Sequence, residues 1–177
     1  MFWVDSDGQH GLIVAVTDQT PGVTWDDSNN LATFNIDTVT GSRAYGTYAG
    51  KVNTLMIATQ QNTNITTNIT LGLGPNPATT VSSAAQIAIQ HTIAADGATA
   101  CNTTNVCYAD WYLPSLWEAN AMANQDSYNY GAQLSGSYWT SQEANPADAF
   151  TNDFSSNMQF VTHKDNTNTH IRLIRAF

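Results

Sequence analysis

Positive charge is what this sequence has least of. Its 177 residues hold five Lys and Arg against fourteen Asp and Glu, a formal net charge of −9, and charged residues of both signs make up only 11%. A protein that grips a phosphate backbone sets a cation near each phosphate it neutralises, so five cations exclude an extended nucleic-acid face. Long apolar runs are also missing: no stretch of about 18 such residues occurs, and no segment reads as a membrane-spanning helix. No secretory leader is visible, because Met1 runs straight into Phe2-Trp3-Val4; the sequence reads as a piece of a longer chain with Met1 added in front. G-x-S-x-G, H-E-x-x-H, a phosphate loop and a closely spaced carboxylate pair are all lacking, so neither catalysis nor a cofactor is expected.

Cysteine occurs twice, as Cys101 and Cys107 in C-N-T-T-N-V-C. No His lies within eight residues of either one, which argues against a metal centre. A redox pair is more often spaced C-x-x-C. A short-loop disulfide is expected, and with it an oxidising compartment.

What is present supports a folded globule. Hydrophobic residues reach 42%, with five Trp, seven Tyr and six Phe, and Asn, Thr, Gln and Ser supply the polarity that charge does not. Residues 1–177 read as one domain. Phe2-Trp3-Val4 and Gly11 to Val16, joined through Asp5-Ser6-Asp7-Gly8, predict a β-hairpin. The Asp-Ser-Asp-Gly start resembles a calcium loop, but Ile13 and Val16 stand near the later ligand positions, so a plain turn is expected. Val52, Leu55, Met56 and Thr59 recur at helical spacing, predicting a helix over 48–60 with that stripe inward. Ser83-x-x-Gln86 predicts a second helix carrying Ile87, Ile89 and Ile93 inward. Ser115-x-x-Glu118 predicts a third, and short strands follow over 137–141, 149–154, 158–162 and 171–177. Residues 61–80 read as an irregular surface segment; the sequons at Asn64, Asn68 and Asn102 are what chance gives in so Asn/Thr-rich a chain. Strands at both ends around central helices predict an α+β fold, with one mixed or antiparallel sheet built from both termini, two to three helices and long irregular loops.

Several blocks carry a resemblance. Asp110-Trp111-Tyr112-Leu113-Pro114-Ser115-Leu116-Trp117-Glu118 resembles a W-R-L-P-S/T-x-x-E-L signature, and Gly8 to Ile13 follows an opening Phe-Trp-Val-Asp. Tyr48-Ala49-Gly50 with Asn53-Thr54 and Ile57 to Gln60 follows, then Tyr138-Trp139-Thr140-Ser141-Gln142-Glu143 and the terminal Ile171 to Phe177. In order, they resemble the Legionella collagen-like protein C-terminal domain family. The chain departs from that pattern at Tyr112, where the family usually has Arg, and at Leu116-Trp117.

The resemblance implies a C-type-lectin-like fold and a non-catalytic adhesin head, secreted or held on a bacterial surface. It binds host or matrix polysaccharide there, sulfated glycosaminoglycans among the candidates, in attachment and biofilm. A homotrimer is the expected assembly. The competing reading is a structural trimerisation or capping module that ends a collagen-like stalk without a defined glycan. A remote one is an enzyme like the formylglycine-generating oxidases, which need a reactive cysteine pair and copper. The lectin calcium motifs E-P-N, Q-P-D and W-N-D are missing, so calcium-dependent sugar binding is not expected.

Trp111, Pro114, Glu118, Trp139 and Arg175 read as structural, with Arg175 paired to Glu118 or Glu143. The cations Arg43, Lys51, Lys164 and Arg172, with His163 and His170, are the candidate sulfate ligands. His163-Lys164 and His170-x-Arg172 flank a turn that would bring them together at the surface. Lys164 is expected to be solvated, and binding should strengthen as the two His protonate.

Overall fold

The computed structural model describes residues 1–26, 39–61, 83–97, 99–126 and 134–177. The surface segment over 61–80, its sequons at Asn64 and Asn68, and Phe34 lie outside the described residues, apart from Gln61. Among the described residues, three helices and antiparallel sheets make the fold α+β.

The opening hairpin forms as the turn chemistry dictates. β1 (Trp3–Val4) pairs antiparallel with β2 (Gly11–Val14), and Gly8 takes a left-handed φ of 72° that closes the turn with an N–H to the Asp5 carbonyl. β8 (Ile174–Ala176) lies along β2, with Leu12 opposite Ala176, so strands from both chain ends share one sheet. Within the expected strand over 171–177, only Ile174–Ala176 is a continuous strand; Ile171 makes an isolated bridge to Thr20. A second sheet stacks β5 (Ser137–Glu143), β6 (Asp148–Asp153) and β7 (Met158–His163) in sequence order. A two-stranded hairpin, β3 (Ile93–Ala94) with β4 (Cys107–Tyr108), carries the Cys101–Cys107 disulfide, and Asn102 lies in the loop it closes.

The segment 112–115 ties the two larger sheets together. Tyr112 exchanges two backbone hydrogen bonds with Ile174 of β8, at 2.9 and 3.0 Å, and the Pro114 carbonyl accepts from Ser141 N of β5 at 2.8 Å. Proline suits this place because its carbonyl is wanted and its missing N–H is not. Trp111 and Leu113 face one core cluster with Trp25, Ile57, Trp139, Ile171 and Leu173, whereas Tyr112 faces a second with Phe2, Leu12, Met122 and Ile174. Alternating side chains of one extended segment therefore serve both cores. Both structural tryptophans are interior: Trp139 is fully buried with its indole N–H donated to the Val23 carbonyl, and Trp111 is nearly so.

The helices appear where expected; the third buries its stripe of Ala119, Met122 and Ala123, whereas the first turns inward a face other than its apolar stripe. α1 (Ala49–Gln61) buries Gly50, Asn53, Thr54, Ile57, Ala58 and Gln61, and leaves Val52, Leu55 and Met56 exposed. Hydrogen bonds select that face. The Asn53 amide brackets Ala44, and Thr54 Oγ1 accepts from Leu113 N, so the polar positions are the ones with partners inside. α2 (Ala84–Gln90) buries Ala84, Ala85 and Ala88; Ile87 and Ile89 are only half-buried, and Ile93 belongs to β3. Ser83 stands at its N-terminus without closing a capping box, since its hydroxyl donates to Gln61 Oε1 at 2.6 Å. In α3 (Leu116–Asp126) the box closes reciprocally, with Ser115 N to Glu118 Oε2 at 2.7 Å and Glu118 N to Ser115 Oγ at 3.2 Å.

Trp139→Ala is expected to lower stability by about 3–5 kcal/mol, the range for emptying a buried aromatic site. Val52→Ala should stay within about 0.5 kcal/mol, as for a solvated position. Urea unfolding of both variants checks the pair; equal losses would contradict the inward face assigned to α1.

Candidate functional site

Three aromatic side chains from distant parts of the chain meet at one end of the terminal sheet. Trp3 of β1 packs edge-to-face on Tyr48, with ring centroids 6.1 Å apart, and on Trp117 of α3 at 6.0 Å. Tyr48 immediately precedes α1 at a left-handed φ of 66°, and the residue is 38% exposed. Beside it an open cleft of about 380 Å³ is lined by His10, Tyr48, Ala176 and Phe177. Phe177 lies over Gly11, where a Cβ would stand 2.5 Å from the ring, so only glycine admits this packing. Trp and Tyr rings offer wide rigid faces with a polar edge, the surface type that stacks on a sugar ring.

Glu118 builds the support beneath these rings. Its carboxylate is fully buried and accepts Tyr48 N at 2.8 Å, Gly50 N at 3.1 Å, Ser115 N at 2.7 Å and the Tyr112 hydroxyl at 3.3 Å. Burial pushes its carboxyl above the usual value, against the pull of those donors. A Cβ on Gly50 would collide with this carboxylate, with the Leu113 carbonyl and with Ser115 N.

The expected partner of Arg175 is thereby corrected. Glu118 is occupied by N–H and O–H donors, Glu143 is held by Lys164, and Arg175 pairs instead with Asp110 while its guanidinium lies 3.8 Å from the Tyr108 ring centre. The neighbouring Tyr112, buried beside Glu118, has its phenol pushed above the ordinary range by that burial and by the carboxylate's charge.

The expected basic patch does not assemble. Lys164 is fully buried: Nζ lies 2.7 Å from Glu143 Oε1 and 2.7 Å from the Pro146 carbonyl, and 4.9 Å from the Trp25 ring centre. Arg172 is also buried, its Nε on Asp18 at 2.7 Å and Nη1 on the carbonyls of Ala15 and Val16. His170 stands 3.5 Å from the same Asp18, and Tyr138 donates to it at 3.1 Å. His163 is exposed and pairs with Asp165. The turn thus divides the four residues between separate carboxylates. The physical reason is that Glu143 and Asp18 each draw a cation inward, which a hairpin reading of 163–172 does not reveal. Arg43 and Lys51 are exposed and make no ion pair among the described residues.

Sequence reading missed both the aromatic face and the interior place of Trp25, whose indole donates to the Thr140 carbonyl at 2.8 Å. Trp3, Tyr48 and Trp117 are far apart along the chain and were legible only as strand, helix and motif residues. Trp117 is one of the positions where the chain departs from the resembled pattern, the one signal that pointed toward it.

Lys164→Met is expected to cost about 3–5 kcal/mol, because it strands a buried carboxylate; adding Glu143→Gln, which removes the charge and keeps an acceptor oxygen for Thr40 N–H but not for Gly41 N–H, should restore part of it. Burial would raise Glu143, but the hydrogen bonds from Lys164 and Thr40 N outweigh it and hold the carboxyl below its ordinary 4.5. Its stabilisation is therefore complete above about pH 4.5 and lost as pH falls through the lower folded value. Urea midpoints across acid pH should fall more steeply for wild type than for the double variant; parallel curves would contradict the pairing.

No protein-family model matches the chain, and no curated protein matches it.

Proposed function

We propose that this chain is a non-catalytic binding module that holds polysaccharide through exposed Tyr48, the half-buried rings of Trp3 and Trp117 beside it, and the adjoining cleft. The observation that carries the reading is that edge-to-face cluster, in which Tyr48 is exposed and lines an open cleft while Trp3 and Trp117 are half-buried behind it. A shallow, partly exposed aromatic face with a polar edge suits a sugar chain better than a compact metabolite. The hydrogen bond from Tyr48 N to Glu118 fixes the backbone that carries the Tyr48 ring before a ligand arrives, which lowers the ordering cost of binding.

On the same reading the chain has a C-type-lectin-like fold and is the head of a secreted or surface-held adhesin, in line with the resemblance to the collagen-like protein family. The disulfide and the Asn/Thr-rich surface support an extracellular place.

A second reading, assembly with copies of itself, is favoured by the edge strand β7. Met158, Phe160 and Val161 are 55%, 45% and 52% exposed there, and no charged residue lies from Met158 to Thr162. Two copies of an acidic chain could meet along it without opposing carboxylates. Sedimentation of wild type and Val161→Lys tests this: the variant should be smaller than wild type, and identical masses would remove the reading.

Binding to a polysaccharide array should weaken at least about tenfold, equivalent to about 1.4 kcal/mol, in Trp117→Ala and in Tyr48→Ala, with circular dichroism unchanged. Binding untouched by both but abolished by Arg43→Ala with Lys51→Ala would place the site on the exposed cations instead.

A further inference from the structure

Two carboxylates stand beside the aromatic face. The turn between Trp3-Val4 and His10-Gly11 contains Asp5 and Asp7; neither is ion-paired with a Lys or Arg among the described residues, and the charge of His10 acts on Asp5. Asp5 Oδ1 accepts from Gln9 N and His10 N, and Asp7 Oδ1 from Gln9 N, which fixes both carboxylates in the turn that leads into the cleft at His10. They are felt at the platform: burial, and after it the charges of Asp5 and Asp7, raise the Tyr48 phenol above its ordinary value. Three of the chain's five Lys and Arg are bound to carboxylates, Lys164 to Glu143, Arg172 to Asp18 and Arg175 to Asp110. The outward field is accordingly negative, which repels sulfated chains and draws cations.

Aromatic faces flanked by carboxylates match a ligand with an apolar ring face and an ammonium group. The rings take the C–H face, cation–π attraction favours the ammonium, and the carboxylates complete its charge pairing. An acetylated sugar offers the first feature without the second, and a sulfated sugar brings the wrong sign.

We infer that the face formed by Trp3, Tyr48 and Trp117, with Asp5 and Asp7 at its edge, selects a cationic glycan, a chain of sugars bearing free amino groups. This rests on the aromatic-face reading and specifies its ligand. Calorimetric titration compares short glucosamine oligomers, the same oligomers fully N-acetylated, and heparin oligosaccharides, at a pH where the sugar amines are protonated. The amino oligomer is expected to bind at least about tenfold more tightly than the acetylated one, with affinity falling as salt rises.

Asp5→Asn with Asp7→Asn keeps the acceptors for Gln9 and His10 N–H while removing both charges. It should erase the preference, bringing the affinity for the amino oligomer down to that for the acetylated one. Trp117→Ala should weaken both. Equal affinity for the two oligomers, or tighter binding of heparin, would overturn the amino-sugar inference while leaving the aromatic face standing if Trp117→Ala still weakens binding. Binding of none of the three, or binding indifferent to Trp117→Ala and Tyr48→Ala, would overturn the aromatic face itself and this inference with it.

Discussion

The arrangement turns on one buried carboxylate. Among the described residues Glu118 has no cation partner; its negative charge is met by N–H groups of Tyr48, Gly50 and Ser115 and by the Tyr112 hydroxyl. These donors come from the entry to α1, the segment that joins the two sheets, and the first turn of α3. Two helix N-termini converge on it, so each supplies unpaired backbone donors and the favourable end of its dipole. A buried charge without such partners is strongly disfavoured, and this demand is what draws the three segments together. The aromatic face is a consequence: Tyr48 is anchored through its own N–H, and Trp117 precedes Glu118 in the same helical turn.

Scarcity of positive charge shapes the rest. With five cations, the chain binds three to carboxylates, most completely where Lys164 and Glu143 are both wholly enclosed. That pair joins β5 to the end of β7 and rests on Trp25, so a lysine that reads as a surface charge is a core element. Outside, carboxylates outnumber cations, and recognition of a sulfated chain would require Arg43 and Lys51 to overcome that field. Aromatic stacking needs no cation, which is why the proposed site lies there.

Features governed by local chemistry were legible in the sequence. The Ser115–Glu118 box, the hairpin around Gly8, the pairing of the chain ends and the cysteine bridge each depend on residues near one another or on simple alternation. The inward face of α1 was not, because it is set by Asn53 meeting Ala44 and Thr54 meeting Leu113, contacts that outweigh the apolar stripe of Val52, Leu55 and Met56. Nor was the fate of Ser83, which gives its hydroxyl to Gln61 rather than to its own helix. The candidate site failed for the same reason in both directions. Lys164 and Arg172 turn inward because of carboxylates 21 and 154 residues away, and the three rings that replace them meet only in the folded chain.

The central claim is that recognition lies on the aromatic face and that the paired cations stay inside. Side-chain NMR during titration with a glucosamine oligomer tests it most directly, following the indole N–H signals of the tryptophans with the Lys164 ammonium and Arg172 guanidinium signals. The account predicts that Trp3 and Trp117 shift with ligand while Lys164 and Arg172 do not move. Shifts at Lys164 or Arg172 with the Trp3 and Trp117 indoles unchanged would contradict it.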